Sequence, residues 1–225
     1  MKSTSRDRFA QWSVRLIGVA AFALCAFAMP AAALTISSTD SATLSSVTGT
    51  QVGTMTSVYD FDPVAGGDGT ITSTVYEGIG AAAGYYVYTY EIELYDSTQA
   101  SIGAIVGVTF EFSATPASVT GIGEAFYVSD GTGSIAPDLA IYNETTKTAA
   151  FRFDGYIGSG ETSYVFGLFS PNAPLASDAQ LIDGGALGGT ASVLSNGVAA
   201  VPEPSAALVF ALGFVTIAAR CRTKR

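Results

Sequence analysis

The sequence predicts an all-β protein, a β-sandwich or jelly-roll-like domain. Three observations carry the prediction: apolar residues recur with a period of two, turn dipeptides separate those runs, and the body of the chain shows no helical period. Tyr86, Tyr88, Tyr90, Ile92 and Leu94 fall on one face of a strand, with Thr89, Glu91 and Glu93 on the other. Val106, Val108, Phe110 and Phe112 repeat the pattern, with Thr109 and Glu111 opposite. Phe151 and Phe153 on either side of Arg152, and residues 164–169, read as further strands. Asp68-Gly69, Asp130-Gly131, Asp154-Gly155 and Asp183-Gly184 read as turns, and residues 144–147 are expected to close a hairpin between strands at 139–143 and 148–154.

Composition narrows the chemistry. The chain has no His, and its two Cys, Cys25 and Cys221, lie near its ends. The body therefore lacks thiol and imidazole, which excludes Ser-His and Cys-His nucleophilic catalysis, His- or Cys-ligated zinc and disulfides within it. No cofactor is implied. The 19 acids less Asp7 and Glu203 leave 17 between residues 34 and 200, against Lys147 and Arg152 alone, a net charge of −15. Such a surface repels phosphate backbones, so no nucleic-acid partner is expected, and it favours neutral glycans or divalent cations over anionic polymers.

Residues 1–33 read as a secretory signal: a basic start, an apolar run over 16–29, Pro30, and a small-residue site at Ala31, Ala32 and Ala33, with signal peptidase cutting after Ala33. The exported all-β domain is then 34–183. Residues 184–201 are rich in Gly, Ala and Ser and carry no charge; 190–194 can finish the sandwich and the remainder serves as a linker. The chain ends with Pro202, Glu203 and Pro204, an apolar segment over 206–219, and a basic tail holding Arg220, Arg222, Lys224 and Arg225. Pro204 can open a helix. Fourteen helical residues span only about 21 Å against a hydrocarbon core of about 30 Å, so the segment is expected to be a short transmembrane helix and a transient inner-membrane anchor, its basic tail on the cytoplasmic side.

The three-part tail over 202–225 resembles that of the PEP-CTERM proteins of polysaccharide-producing bacteria. The resemblance covers the C-terminal tail only. It implies processing by a membrane protease, exosortase, near Pro202-Glu203-Pro204, and delivery to the cell surface or extracellular matrix. The same tail closes some proteins described as ice-binding, which implies nothing about ice here.

Three groups of residues are candidates for function within the domain. Asp60, Asp62 and Asp68 gather carboxylates in a Gly-rich loop suited to calcium, although Val64 and Ala65 break the EF-hand pattern. Glu91 and Glu93 share a strand face about 7 Å apart, a separation glycosidases use, but their alternation with Ile92 and Leu94 is that of a solvent face. Among Tyr85, Tyr86, Tyr88, Tyr90 and Tyr95, the even-numbered three share the face of Ile92 and Leu94, which leaves Tyr85 and Tyr95 as candidate glycan contacts. The expected function is a structural or adhesive surface or matrix protein in contact with extracellular polysaccharide, and not an enzyme. The alternative is a secreted lyase or glycosidase that uses carboxylates alone, for which the body offers few cations to stabilise an acidic substrate.

Overall fold

In the computed structural model, the structure describes residues 31–61, 67–96, 100, 102–183 and 188–196. Within them the protein is all-β. Twelve strands form two six-stranded sheets. The first has the order β1 (Ala32–Leu34), β8 (Leu139–Asn143), β9 (Thr148–Gly158), β6 (Ala104–Glu111), β11 (Leu175–Asp183), β12 (Gly188–Ser195). The second has the order β2 (Ile36–Thr39), β7 (Ala125–Val128), β10 (Phe166–Ser170), β5 (Tyr86–Leu94), β4 (Gly69–Gly78), β3 (Thr48–Tyr59). Neighbours pair antiparallel except β2 and β7, which are parallel.

The inner faces of both sheets meet in one core. Tyr88, Tyr90, Ile92, Leu94 and Phe166 enter it from the second sheet, and Val108, Phe110, Phe151 and Phe153 from the first. Their rings interlock across the gap. Tyr90 lies 4.4 Å from Phe110 and 5.8 Å from Phe166, and Phe151 lies 4.6 Å from Phe166. Three buried phenols have hydrogen-bond partners: Tyr59 Oη donates to the Glu93 carbonyl at 2.7 Å, Tyr88 Oη to Asn172 O at 2.7 Å and Tyr90 Oη to Leu194 O at 3.1 Å, whereas the buried Tyr142 hydroxyl has none among the described residues.

The expected hairpin is present between β8 and β9. The Asn143 side-chain oxygen accepts from the amides of Thr145 (2.9 Å) and Thr146 (3.1 Å), and Lys147 takes a left-handed conformation, φ 54°. Three features differ from the sequence reading: Val106, expected in the core with Val108, Phe110 and Phe112, is only half-buried, and across the register shift Ile105 takes the core position instead. A short helix, α1 (Ser41–Val47), forms where none was expected. Its N-cap Asp40 accepts from Thr43 N at 2.6 Å, and hydrogen bonding from the Thr43 side chain first, then from its amide, holds the Asp40 carboxyl below its ordinary range. Asp154-Gly155 is not a chain reversal either. It lies within β9, in a bulge where Phe153, Asp154, Gly155 and Tyr156 stand against the single residue Val106 of β6.

The two outer faces are unequal. That of the second sheet is covered over β5, β7 and β10 by a smaller cluster, in which Val47 of α1, Ala82, Val119 and Ile122 pack on Val87, Phe126 and Phe169. Strand β10 is accordingly buried at all five positions, whereas β9, β11 and β12 alternate between buried and exposed residues along much of their length. The outer face of the first sheet carries no such cover among the described residues.

Of the predicted processing elements, Ala31 and Ala33 are exposed, and Ala33 pairs with Ile141 in β1, so cleavage after Ala33 would remove Ala32 and Ala33 from that edge strand. Pro202, Glu203, Pro204, the 206–219 segment and the basic tail lie outside the described residues, as do residues 1–30. Among the described residues no helix is long and apolar enough to cross a membrane.

Burial raises the ionisation of the Tyr59, Tyr88 and Tyr90 phenols well above their ordinary value, and for Tyr59 the charges of Asp68 and Glu93 push the same way. Unfolded tyrosines ionise near pH ~10, so above that pH the folded state binds more protons than the unfolded state. The stabilisation is therefore complete below pH ~10 and declines as the pH rises further. In an alkaline titration, part of the phenolate absorbance is expected to appear only together with loss of near-ultraviolet circular dichroism. Ionisation of every tyrosine before any structural change would contradict this.

Candidate functional site

The structure separates the residues singled out in the sequence. Tyr85 and Tyr95 bracket β5 at opposite ends, about 30 Å apart by strand rise, and both are half-buried. Tyr85 packs on the smaller cluster, and the Tyr95 amide donates to the Asp68 carbonyl at 2.9 Å. They form no common platform.

Asp68 is fully buried and clasps its loop. Its Oδ2 accepts from Phe61 N at 2.6 Å, while its own amide donates to the Tyr59 carbonyl at 2.8 Å. Asp60 makes an isolated bridge to Thr190, and Asp62 lies outside the described residues. Among the described residues no group of three or more acidic, His or Cys side chains could hold a metal ion.

Glu91 and Glu93 do share a face. They border a depression of about 240 Å3 with Thr70, Thr72, Thr132 and Thr162. Each carboxylate accepts from a threonine hydroxyl, Glu91 from Thr132 at 3.1 Å and Glu93 from Thr70 at 3.3 Å.

A more developed site lies on the uncovered face of the first sheet, in a groove of about 610 Å3. This falls inside the range of about 300–1,000 Å3 typical of ligand clefts. Register builds its floor: Leu139 of β8 opposes Arg152 of β9, Arg152 opposes Gly107 of β6, and Gly107 opposes Ile182 of β11, so these four residues share one outward face. Gly107 makes the low point of that row. A Cβ there would stand 2.9 Å from the Phe151 carbonyl and 3.8 Å from Cγ of Arg152.

One end of the groove is built by the β9 bulge. Asp138 Oδ1 accepts from Asp154 N at 2.8 Å, and the Asp138 amide donates to the Arg152 carbonyl at 3.0 Å, which ties the approach to β8 onto the bulge. The bulge then presents Tyr156, 54% exposed and left-handed at φ 35°. That conformation is costly for a non-glycine residue. The site thus combines an open aromatic ring, the aliphatic side chains of Leu139, Ile141 and Ile182, one guanidinium, and the carboxylates of Asp138, Asp154 and Asp183. Chemically it can hold a ligand with one apolar face and several hydroxyls. None of its polar residues was singled out in the sequence as a ligand contact. The signal available there was the unusual placement of Arg152, one of only two bases in the acidic body.

No family model, curated protein or solved structure matches this chain.

The Asp68 clasp yields a test of the calcium expectation. Removing a buried, hydrogen-bonded carboxylate leaves Phe61 N unsatisfied and costs about 1–3 kcal/mol. Asp68→Ala is expected to lower Tm equally in calcium and in chelator. A deficit confined to calcium would make Asp68 a metal ligand instead.

Proposed function

We propose that this chain is an exported protein, sorted by an exosortase to the cell surface or extracellular matrix, where it acts as a structural or adhesive component in contact with extracellular polysaccharide. The two-sheet body is read as a β-sandwich of jelly-roll type, held between a cleaved signal peptide and a transient C-terminal anchor. The export and sorting part rests on the leader over 1–33 and on the order Pro202-Glu203-Pro204, apolar segment, basic tail.

The contact with polysaccharide is carried by one observation: the uncovered face of the first sheet holds an open groove with an exposed tyrosine beside a guanidinium and carboxylates. Aromatic faces stack on sugar rings, and charged forks serve their hydroxyls. The carboxylate pair Glu91 and Glu93 lies on the other sheet and is engaged with threonines. The function proposed is therefore binding and display, without catalysis.

The full chain, solubilised in mild detergent, is expected to co-sediment with the producing organism's extracellular polysaccharide, in calcium and in chelator alike. Full recovery in the supernatant under both conditions would contradict the matrix-contact reading. Retention in calcium alone would assign the contact to a bridging cation.

A further inference from the structure

We infer that the groove over β8, β9, β6 and β11 is selective for neutral pyranose polymers, with one sugar ring stacked on Tyr156 and its hydroxyls shared between Arg152 and the carboxylates of Asp138 and Asp154. This inference rests on the polysaccharide-contact reading above and assigns that contact a place and a ligand class.

Three observations carry it. The first is charge. One guanidinium and three carboxylates line the groove, within a body of net charge −15. A polyuronate would bring its own carboxylates against Asp138, Asp154 and Asp183, and the unlike-charge contact with Arg152 alone does not offset that repulsion. A neutral hydroxyl suits both partners, because it accepts from the guanidinium and donates to a carboxylate.

The second observation is shape. Gly107 lowers the floor between Arg152 and Ile182, and Leu139, Ile141 and Ile182 provide an aliphatic bed beside the charged groups. A pyranose has the same division, with C–H groups on its faces and hydroxyls around its rim. Its floor runs across four strands, β8, β9, β6 and β11, which suits an extended polymer laid over the sheet.

The third is the tyrosine itself. Lys147 and Tyr156 are the two non-glycine residues with positive φ among the described residues, and Lys147 closes the β8–β9 hairpin. Tyr156 closes no hairpin, and more than half of it is exposed. The β9 bulge sets that conformation and leaves the ring facing solvent at the end of the groove, open to stacking by a sugar ring.

This gives a test in which stability and binding part company. The full chain in detergent is titrated by calorimetry with soluble neutral glucan, mannan and galactan, and with polygalacturonate and alginate. At least one neutral polymer is expected to bind, and both polyuronates at least tenfold more weakly. Tyr156→Gly is expected to weaken the neutral polymer at least tenfold with Tm at or above that of the parent, because glycine accepts φ 35°. Arg152→Gln is expected to weaken it as well, while Glu111→Gln, on the same sheet outside the groove, leaves it unchanged.

Tighter binding of a polyuronate would overturn the ligand class and leave the matrix-contact reading standing. Neutral binding unaffected by Tyr156→Gly and Arg152→Gln would overturn the groove. Failure of every neutral polymer, while the organism's own polysaccharide still retains the protein, would overturn this inference alone. Loss of that retention too would overturn the reading on which it rests.

Discussion

The inter-sheet aromatic layer is the contact on which the rest of this structure depends. Tyr90 and Phe166 from one sheet and Phe110, Phe151 and Phe153 from the other form a continuous set of ring contacts, with Phe153 also 5.6 Å from Phe166. Large rings bury much apolar surface each, and edge and tilted contacts add directionality that aliphatic packing lacks. Because β9 commits Phe151 and Phe153 to the core, Arg152 between them must face outward. The position of the groove follows from the packing of the core beneath it.

Unequal covering of the two sheets decides where a ligand can reach. The second sheet has α1, a one-turn 3-10 helix at Gly80–Ala82 and the residues around Val119 and Ile122 laid over β5, β7 and β10. Those side chains convert an outer sheet face into a second, smaller core. The first sheet lacks such a layer among the described residues, and there the β9 bulge raises Tyr156 beside a row of aliphatic and charged groups. The proposed contact role needs a rigid scaffold and one accessible face, and this division offers both.

Much of the fold was legible in the sequence, for physical reasons that differ by element. Strands β5 and β6 showed themselves by alternation, because β5 has Tyr88, Tyr90, Ile92 and Leu94 inside and Glu93 outside, and β6 keeps Val108 and Phe110 inside and Glu111 outside. The β8–β9 hairpin was legible because Asn143 and the residues after it carry local turn chemistry. Helix α1 was not: its seven residues are rich in Ser and Thr, and only the cap Asp40 and the pair Leu44 and Val47 mark it. The bulge was misread because Asp-Gly has the same preference for turns whether or not the chain reverses, and the partner strand decides which occurs. The groove was illegible for a related reason. Leu139, Arg152, Gly107 and Ile182 come together only through register across four strands, and register is not local information.

If the aromatic layer joins the sheets into one cooperative unit, amides on both sides of it must open together. Native-state hydrogen exchange on β5 and β10 in one sheet, and on β6 and β9 in the other, measures this directly. The account predicts one common opening free energy for the central amides of all four strands, equal to that of global unfolding. Two distinct values, one for each sheet, would mean that the sheets are held separately and would contradict the dependence of the groove on the core beneath it.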